Sequence, residues 1–145
     1  MSQQFVTLPV EAACRNPILV STSEYRAVVR LDVRHHYTDD ASELRPTKKG
    51  VNLPVADIQT LIEGIEVSYV PEDNIARPFM LDIDTRSPIF VNVSNYRNEW
   101  RLDIRHHYDA DGEWRPTQKG VNLPFSGKEM LLAVLHEVSA AVGEG

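Results

Sequence analysis

The feature that most constrains this chain is an internal repeat. Tyr25-Arg26 and the stretch Leu31-Asp32-Val33-Arg34-His35-His36-Tyr37 return 71 positions later as Tyr96-Arg97 and Leu102-Asp103-Ile104-Arg105-His106-His107-Tyr108. After a one-residue deletion the offset becomes 70, pairing Arg45-Pro46-Thr47-Lys48-Lys49-Gly50-Val51-Asn52-Leu53-Pro54 with Arg115-Pro116-Thr117-Gln118-Lys119-Gly120-Val121-Asn122-Leu123-Pro124. Similarity of this length means two copies of one supersecondary unit. Upstream, Arg15-Asn16-Pro17-Ile18 matches Arg86-Ser87-Pro88-Ile89, which sets the copies at residues 5–65 and 79–143, beginning near Phe5 and Phe79. A unit of about 60 residues buries only about 60% of the surface its unfolded chain exposes, so the two copies are predicted to share a core. Between them, residues 66–78 hold Pro71, Glu72, Asp73, Asn74 and Pro78 and read as a linker. Fully extended, it reaches at most ~45 Å, enough for the copies to pack face to face.

Within each copy the elements follow from periodicity. Ile18 to Thr22 and Ile89 to Val93 are β-branched runs, with Ser23-Glu24 and Ser94-Asn95 expected to turn after them. Val29, Leu31 and Val33 alternate with Arg30, Asp32 and Arg34, as Trp100, Leu102 and Ile104 alternate with Arg101, Asp103 and Arg105, giving strands with one charged face. Asp39-Asp40-Ala41-Ser42 and Ala110-Asp111-Gly112 break the pattern, and Gly50 or Gly120 leads into a short Val-Asn-Leu strand. Leu-Pro ends that strand, with the proline placed in the first turn of a helix. Ile58, Leu61, Ile62 and Ile65 share one helical face, as do Leu131, Leu135, Val138 and Val142, and Ser126 with Glu129 has capping-box spacing. The second helix reads as the longer. The fold class is therefore α+β: two tandem units, each a curved antiparallel sheet followed by a C-terminal helix, packed as an intramolecular pseudo-twofold dimer.

Charge narrows the function. Twenty-one acidic against fifteen basic side chains leave a net charge of -6, which excludes a chain that coats nucleic acid by being basic throughout. The repeated blocks differ from the rest: residues 23–54 hold six basic and five acidic groups, and residues 94–124 five of each. Tyr25, Tyr37, Tyr96 and Tyr108 are interleaved among those bases. Rings beside cations are what single-stranded nucleic acid requires, since unpaired bases stack while Arg and Lys neutralise phosphates. The competing interpretation has the arginines pairing with Asp32 and Asp103 and the tyrosines packed in the core.

Tyr96-Arg97, Trp100-Arg101-Leu102-Asp103-Ile104-Arg105, Tyr108, Asp111-Gly112-Glu113-Trp114-Arg115-Pro116 and Lys119-Gly120-Val121-Asn122-Leu123 strongly resemble the positive cofactor four family of single-stranded-DNA-binding transcriptional coactivators. The first copy resembles it as well, so that the similarity covers residues 18–65 and 89–142. The resemblance implies a twofold assembly whose strand ridges and loops hold single-stranded DNA, here with both halves in one chain. It carries binding roles onto Tyr25, Arg26, Arg34, Tyr37, Arg45, Lys48 and Lys49, and onto Tyr96, Arg97, Arg105, Tyr108, Arg115 and Lys119. Position 118 is Gln where the first copy has Lys48, and a lysine frequent in relatives after the turn is replaced by Val28 and Glu99. Unequal halves are expected. Alternation would put Tyr37 on the buried face with Leu31 and Val33, so its exposure requires a bulge or bend near His35-His36; otherwise Tyr37 and Tyr108 are core residues.

Other chemistries fit less well. Adjacent histidines on a strand point to opposite faces, which argues against a metal site at either His-His pair, and no cofactor is expected. A metal-dependent nuclease using Asp32 and Asp103 conflicts with their position between arginines, so no enzymatic activity is expected. A protein-interaction module is the stronger competitor, motivated by the net charge. Single-stranded DNA is the expected partner, with RNA, transcription or replication proteins and further self-association left open. The lone Cys14, the absence of a signal-like start and the absence of any ~18-residue apolar run predict a packed thiol in a cytoplasmic setting, nucleoid-associated if the protein is bacterial, with no membrane partner.

Overall fold

The computed structural model describes residues 6–10, 16–70, 75–76, 78–81 and 87–143. The first copy runs β1 (Thr7–Val10), β2 (Ile18–Tyr25), β3 (Val28–Thr38), β4 (Leu44–Pro54) and α1 (Ile58–Val67). A two-stranded ladder, β5 (Tyr69–Val70) with β6 (Ile75–Ala76), occupies the connection. The second copy runs β7 (Phe79–Leu81), β8 (Ile89–Tyr96), β9 (Glu99–Ala110), β10 (Glu113–Pro124) and α2 (Lys128–Gly143). Each copy is thus an antiparallel four-stranded meander followed by a helix, with orders β1-β2-β3-β4 and β10-β9-β8-β7. The α+β architecture with two tandem units is the one read from the repeat.

Alternation decides which side of each sheet is dry. Ile18, Val20, Leu31, Val33, Val51 and Leu53 are fully buried, and Ile89, Val91, Leu102, Ile104, Val121 and Leu123 are their counterparts. Ile58, Leu61, Ile62 and Ile65 of α1 and Leu131, Leu135 and Val138 of α2 join them in one apolar cluster spanning both copies. Each such side chain contributes roughly 1.5–3 kcal/mol relative to exposure, which neither copy could match alone.

The helices cross between copies. The first copy's α1 packs on β7 of the second, α2 packs on β1 and β2 of the first, and the helices pack on each other. Gln59 Nε2 donates to Ser139 Oγ at 3.0 Å across that helix pair. Buried Gly64 of α1 brings the helix against Phe79 so closely that an added Cβ would lie 2.5 Å from the ring. Reciprocal covering of this kind is what pseudo-twofold association of two marginal units produces.

Several local expectations are corrected. The hairpin turns are not at Ser23-Glu24 and Ser94-Asn95: β2 and β8 continue to Tyr25 and Tyr96, and Arg26-Ala27 and Arg97-Asn98 turn instead. Polar residues at the exposed end of a strand imitate turn composition. The Val-Asn-Leu segments are the ends of eleven- and twelve-residue strands rather than separate ones. Pro54 and Pro124 end their strands and precede short 3-10 turns, Val55–Asp57 and Phe125–Gly127, so neither proline is inside an α-helix. Ser126 lies in the second of these turns and α2 starts at Lys128, which removes the Ser126–Glu129 capping box. Phe5, Cys14, Arg15, Arg86 and the linker residues Pro71 to Asn74 lie outside the described residues.

Candidate nucleic-acid interface

The first site element is the hairpin tip. Tyr25 pairs with Val28 and Tyr96 with Glu99, enclosing two-residue turns. Both turn residues have positive φ: 51° and 65° at Arg26 and Ala27, 52° and 64° at Arg97 and Asn98. That is the turn whose twist suits a hairpin, although it favours Asn and Gly rather than Arg-Ala. The geometry throws the preceding ring outward, leaving Tyr25 62% and Tyr96 61% exposed. Each arginine folds back so that Cζ lies 5.2 Å from the centroid of its tyrosine neighbour. One ring face is thereby partnered by a cation.

Below the tip, the wet face of each sheet carries a polar ladder. Asp32 receives Arg34 Nη2 at 2.8 Å and Nε at 3.0 Å, while Arg34 Nη1 donates to the Thr47 carbonyl at 2.9 Å. Asn52 donates from Nδ2 to Asp32 and accepts from Arg30 Nε. The second copy repeats this with Asp103, Arg105, the Thr117 carbonyl, Asn122 and Arg101. Arg34 and Arg105, assigned from sequence to phosphate binding, are therefore ion-paired to aspartate, as the competing interpretation had it. Gly50 and Gly120 permit this: a Cβ at Gly50 would lie 2.8 Å from Arg34 Cβ, and one at Gly120 2.7 Å from Arg105 Cβ.

The lysines are presented by a bulge. Between the pairs Arg34–Gly50 and His36–Pro46, Thr47, Lys48 and Lys49 of β4 stand opposite His35 alone, and Thr117 to Lys119 repeat the irregularity opposite His106. Thr47 Oγ1 donates to the His35 carbonyl at 2.8 Å and accepts from the Lys49 amide at 3.1 Å, pinning the extra residues in place. Lys48, Lys49, Gln118 and Lys119 are exposed. The extra residues lie in β4 and β10, so Tyr37 keeps the alternation phase of Leu31 and Val33. It nevertheless stands beyond the core, 47% exposed, with Tyr108 at 46%, so neither is a core residue. Their cross-strand partners are Arg45 and Arg115. Arg45 is bound to Asp39 at 2.8 Å and Glu43 at 3.0 Å, and holds the Asp39 carboxyl below its ordinary range; Arg115 is bound to Glu113 at 3.2 Å.

The two copies meet beside this face. His35 Nε2 accepts the Asn122 backbone N–H at 3.1 Å and His106 Nε2 accepts that of Asn52 at 3.4 Å. Their Nδ1 atoms face the Asn16 and Ser87 carbonyls, each at 2.9 Å. Burial, with Lys49 and Arg105 as further contributors, lowers the His35 pKa from its ordinary value. A cleft of about 290 Å³ at the seam is lined by Arg34, Lys48, Gly50 and Asn52 of one copy and His106 and Lys119 of the other. A second cleft, about 600 Å³, lies at the other tip between Ser94, Tyr96, Arg97, Glu99, Arg101 and Asn122.

The sites inferred from sequence thus gather in four places, of which three are Tyr25, Arg26, Tyr96 and Arg97 at the tips, Arg34 and Arg105 in the ladders, and the lysines at the bulges. Tyr37, Arg45, Tyr108 and Arg115 occupy the strand ends beyond them. Missed were Arg30, Arg101, Asn52 and Asn122, although all four share the outward phase of Asp32 and Asp103 and recur in both copies. The role of His35 and His106 as links between copies was missed too, and only tertiary structure reveals it. The family model described as Transcriptional Coactivator p15 (PC4) matches the chain twice, over residues 15–64 and 83–134. No curated protein matches it.

Proposed function

Because the chain belongs to the transcriptional coactivator p15 (PC4) family, we propose that it binds single-stranded DNA in preference to duplex, in the service of transcription or other DNA metabolism. The observation that carries this is the pair of hairpin tips, where an exposed tyrosine and its arginine neighbour stand above a polar strand face. Rings of this kind stack on unpaired bases with little regard to sequence, and the cations at tip and bulge neutralise phosphates. A duplex offers its bases only along groove edges, which an exposed ring cannot stack upon. Of the cations assigned from sequence, Arg26, Arg97 and the bulge lysines Lys48, Lys49 and Lys119 remain for phosphates, with Arg34, Arg45, Arg105 and Arg115 engaged by carboxylates in the free protein.

The test is fluorescence anisotropy with a labelled single strand, its blunt duplex and the matching RNA at one ionic strength, repeated across salt. Single-stranded DNA is expected to bind more tightly than duplex, with log affinity falling against log salt at a slope near -3 if about four phosphates are engaged at roughly 0.7 per contact. Duplex binding as tight as single-strand binding overturns the proposal. Equal affinity for RNA would widen the substrate to single strands in general.

A further inference from the structure

The outward faces of β3 and β9 differ in charge at one point. Along β3 they run Val28, Arg30, Asp32, Arg34; along β9 they run Glu99, Arg101, Asp103, Arg105. Asp32 neutralises Arg34, and Asp103 neutralises Arg105. In β9, Glu99 Oε1 also receives Arg101 Nη1 at 2.6 Å, so every charge on that face is paired. In β3 the equivalent of Glu99 is Val28, and Arg30 has no carboxylate partner among the described residues.

Arg30 is also held in place. Its Nε donates to Asn52 Oδ1, and Asn52 is itself anchored by donating to Asp32 Oδ1 at 3.3 Å. The Nη edge of the guanidinium has no acceptor among the described residues. Two parallel N–H groups on a planar, oriented cation match the oxygens of a phosphodiester, and an orientation already fixed in the free protein lowers the entropy lost on binding. The strand register places Arg30 opposite Ser23, two residues from Tyr25 on the same face. In the second copy the counterparts Tyr96, Ser94, Arg101 and Asn122 line one cleft.

We infer that Arg30 is a phosphate-contact residue of the first copy, and that Glu99 occupies the equivalent contact, Arg101, in the second. This rests on the single-strand function proposed above. A base stacked on Tyr25 has its backbone phosphate over the β3 face, where Arg30 is the arginine of that strand without a carboxylate partner among the described residues. On the other copy a phosphate must first displace Glu99 from Arg101.

The experiment measures oligothymidine affinity across salt for Arg30→Gln, Arg30→Lys, Arg101→Gln, Glu99→Val and the double variant Glu99→Val/Arg101→Gln, with thermal unfolding in parallel. Arg30→Gln is expected to lower affinity roughly tenfold at low salt and to reduce the slope by about 0.7, as loss of a charge-assisted phosphate contact does. Arg30→Lys keeps the slope and loses part of the affinity, because the fork is gone while the charge stays. Arg101→Gln leaves the slope unchanged. Glu99→Val steepens the slope, and that gain disappears in the double variant. A folded Arg30→Gln variant with the parent's affinity and slope overturns the inference, as does a Glu99→Val gain that survives Arg101→Gln, which would mark Glu99 as a distant repulsive charge. Failure of the parent to bind oligothymidine removes the single-strand function itself, and the inference falls with it.

Discussion

His35 Nε2 accepts a hydrogen bond from the backbone N–H of Asn122, 3.1 Å away and in the other copy. An acceptor at Nε2 obliges the ring to be neutral, with its proton on Nδ1 facing the Asn16 carbonyl. The imidazole thus serves as a seam between two units that share one core, and protonation removes its bond to Asn122.

The pH dependence of stability follows in sign. Burial lowers the folded-state pKa of His35 from its ordinary 6.5, so the unfolded chain takes up the proton first as pH falls. The contribution is fully present above about pH 6.5 and is lost as the pH drops from there through the lower, folded-state pKa. Urea midpoints are expected to fall between pH 7.5 and 5, above the range where ordinary carboxylates titrate. A His35→Gln variant is less stable at pH 7.5 and shows a flatter profile. Identical pH profiles for the two proteins would remove His35 as the cause.

The crossed packing of the helices predicts an inversion of the usual glycine rule. Alanine in place of glycine within a helix ordinarily stabilises by about 0.8–1 kcal/mol. At Gly64 the new methyl would stand 2.5 Å from the Phe79 ring, in a buried site. Gly64→Ala is therefore expected to destabilise by roughly 1–3 kcal/mol in urea unfolding, with partial recovery when Phe79→Leu makes room. A more stable Gly64→Ala protein would mean that α1 does not rest on β7.

Ala27 holds φ of 65° without the side chain that tolerates it, whereas the same position in the second copy is Asn98. Ala27→Asn should raise stability by about 0.5–1 kcal/mol, since asparagine enters the left-handed region at lower cost than alanine. The measurement is the shift in denaturation midpoint. A shift of the opposite sign would contradict the assigned turn.

The two halves should bind single strands unequally. Lys48 stands where Gln118 does in the second copy, and Val28 where Glu99 pairs with Arg101 at 2.6 Å. Both differences leave the first copy more cationic. Single-strand affinity is expected to fall further for Arg26→Ala than for Arg97→Ala, measured by anisotropy at low salt where exposed charges are least screened. A larger loss from Arg97→Ala reverses the assignment of the stronger half.

The main outline of the fold was legible because its signals are local and doubled. Leu31 and Val33 alternate with charges exactly once per residue pair, Ile58 to Ile65 repeat at helical spacing, and the second copy shows the same positions independently. The hairpin turns were misplaced because Arg26-Ala27 lacks the glycine or asparagine that announces positive φ, while Ser23-Glu24 has turn composition at the exposed end of a strand. Exposure of Tyr37 depends on how far β3 extends beyond the core, a property of packing that alternation does not carry. Arg34 and Arg30 looked alike in the sequence. Only the placement of Asp32 and Asn52 between them shows that one is neutralised and the other left with an open edge. The histidine seam joins residues 87 positions apart and has no local signature.

The central claim is that the two hairpin tips are stacking platforms for unpaired bases, and the most direct measurement is single-strand affinity of the double variant Tyr25→Ala/Tyr96→Ala. Both rings are more than half exposed, at 62% and 61%, so their truncation should leave the unfolding midpoint within the small range of surface substitutions. Loss of each stacked ring weakens binding by on the order of 1–3 kcal/mol, so the double variant is predicted to lose affinity at least tenfold at moderate salt while its salt slope stays near that of the parent. A double variant that remains folded and binds single-stranded DNA as tightly as the parent would contradict the account.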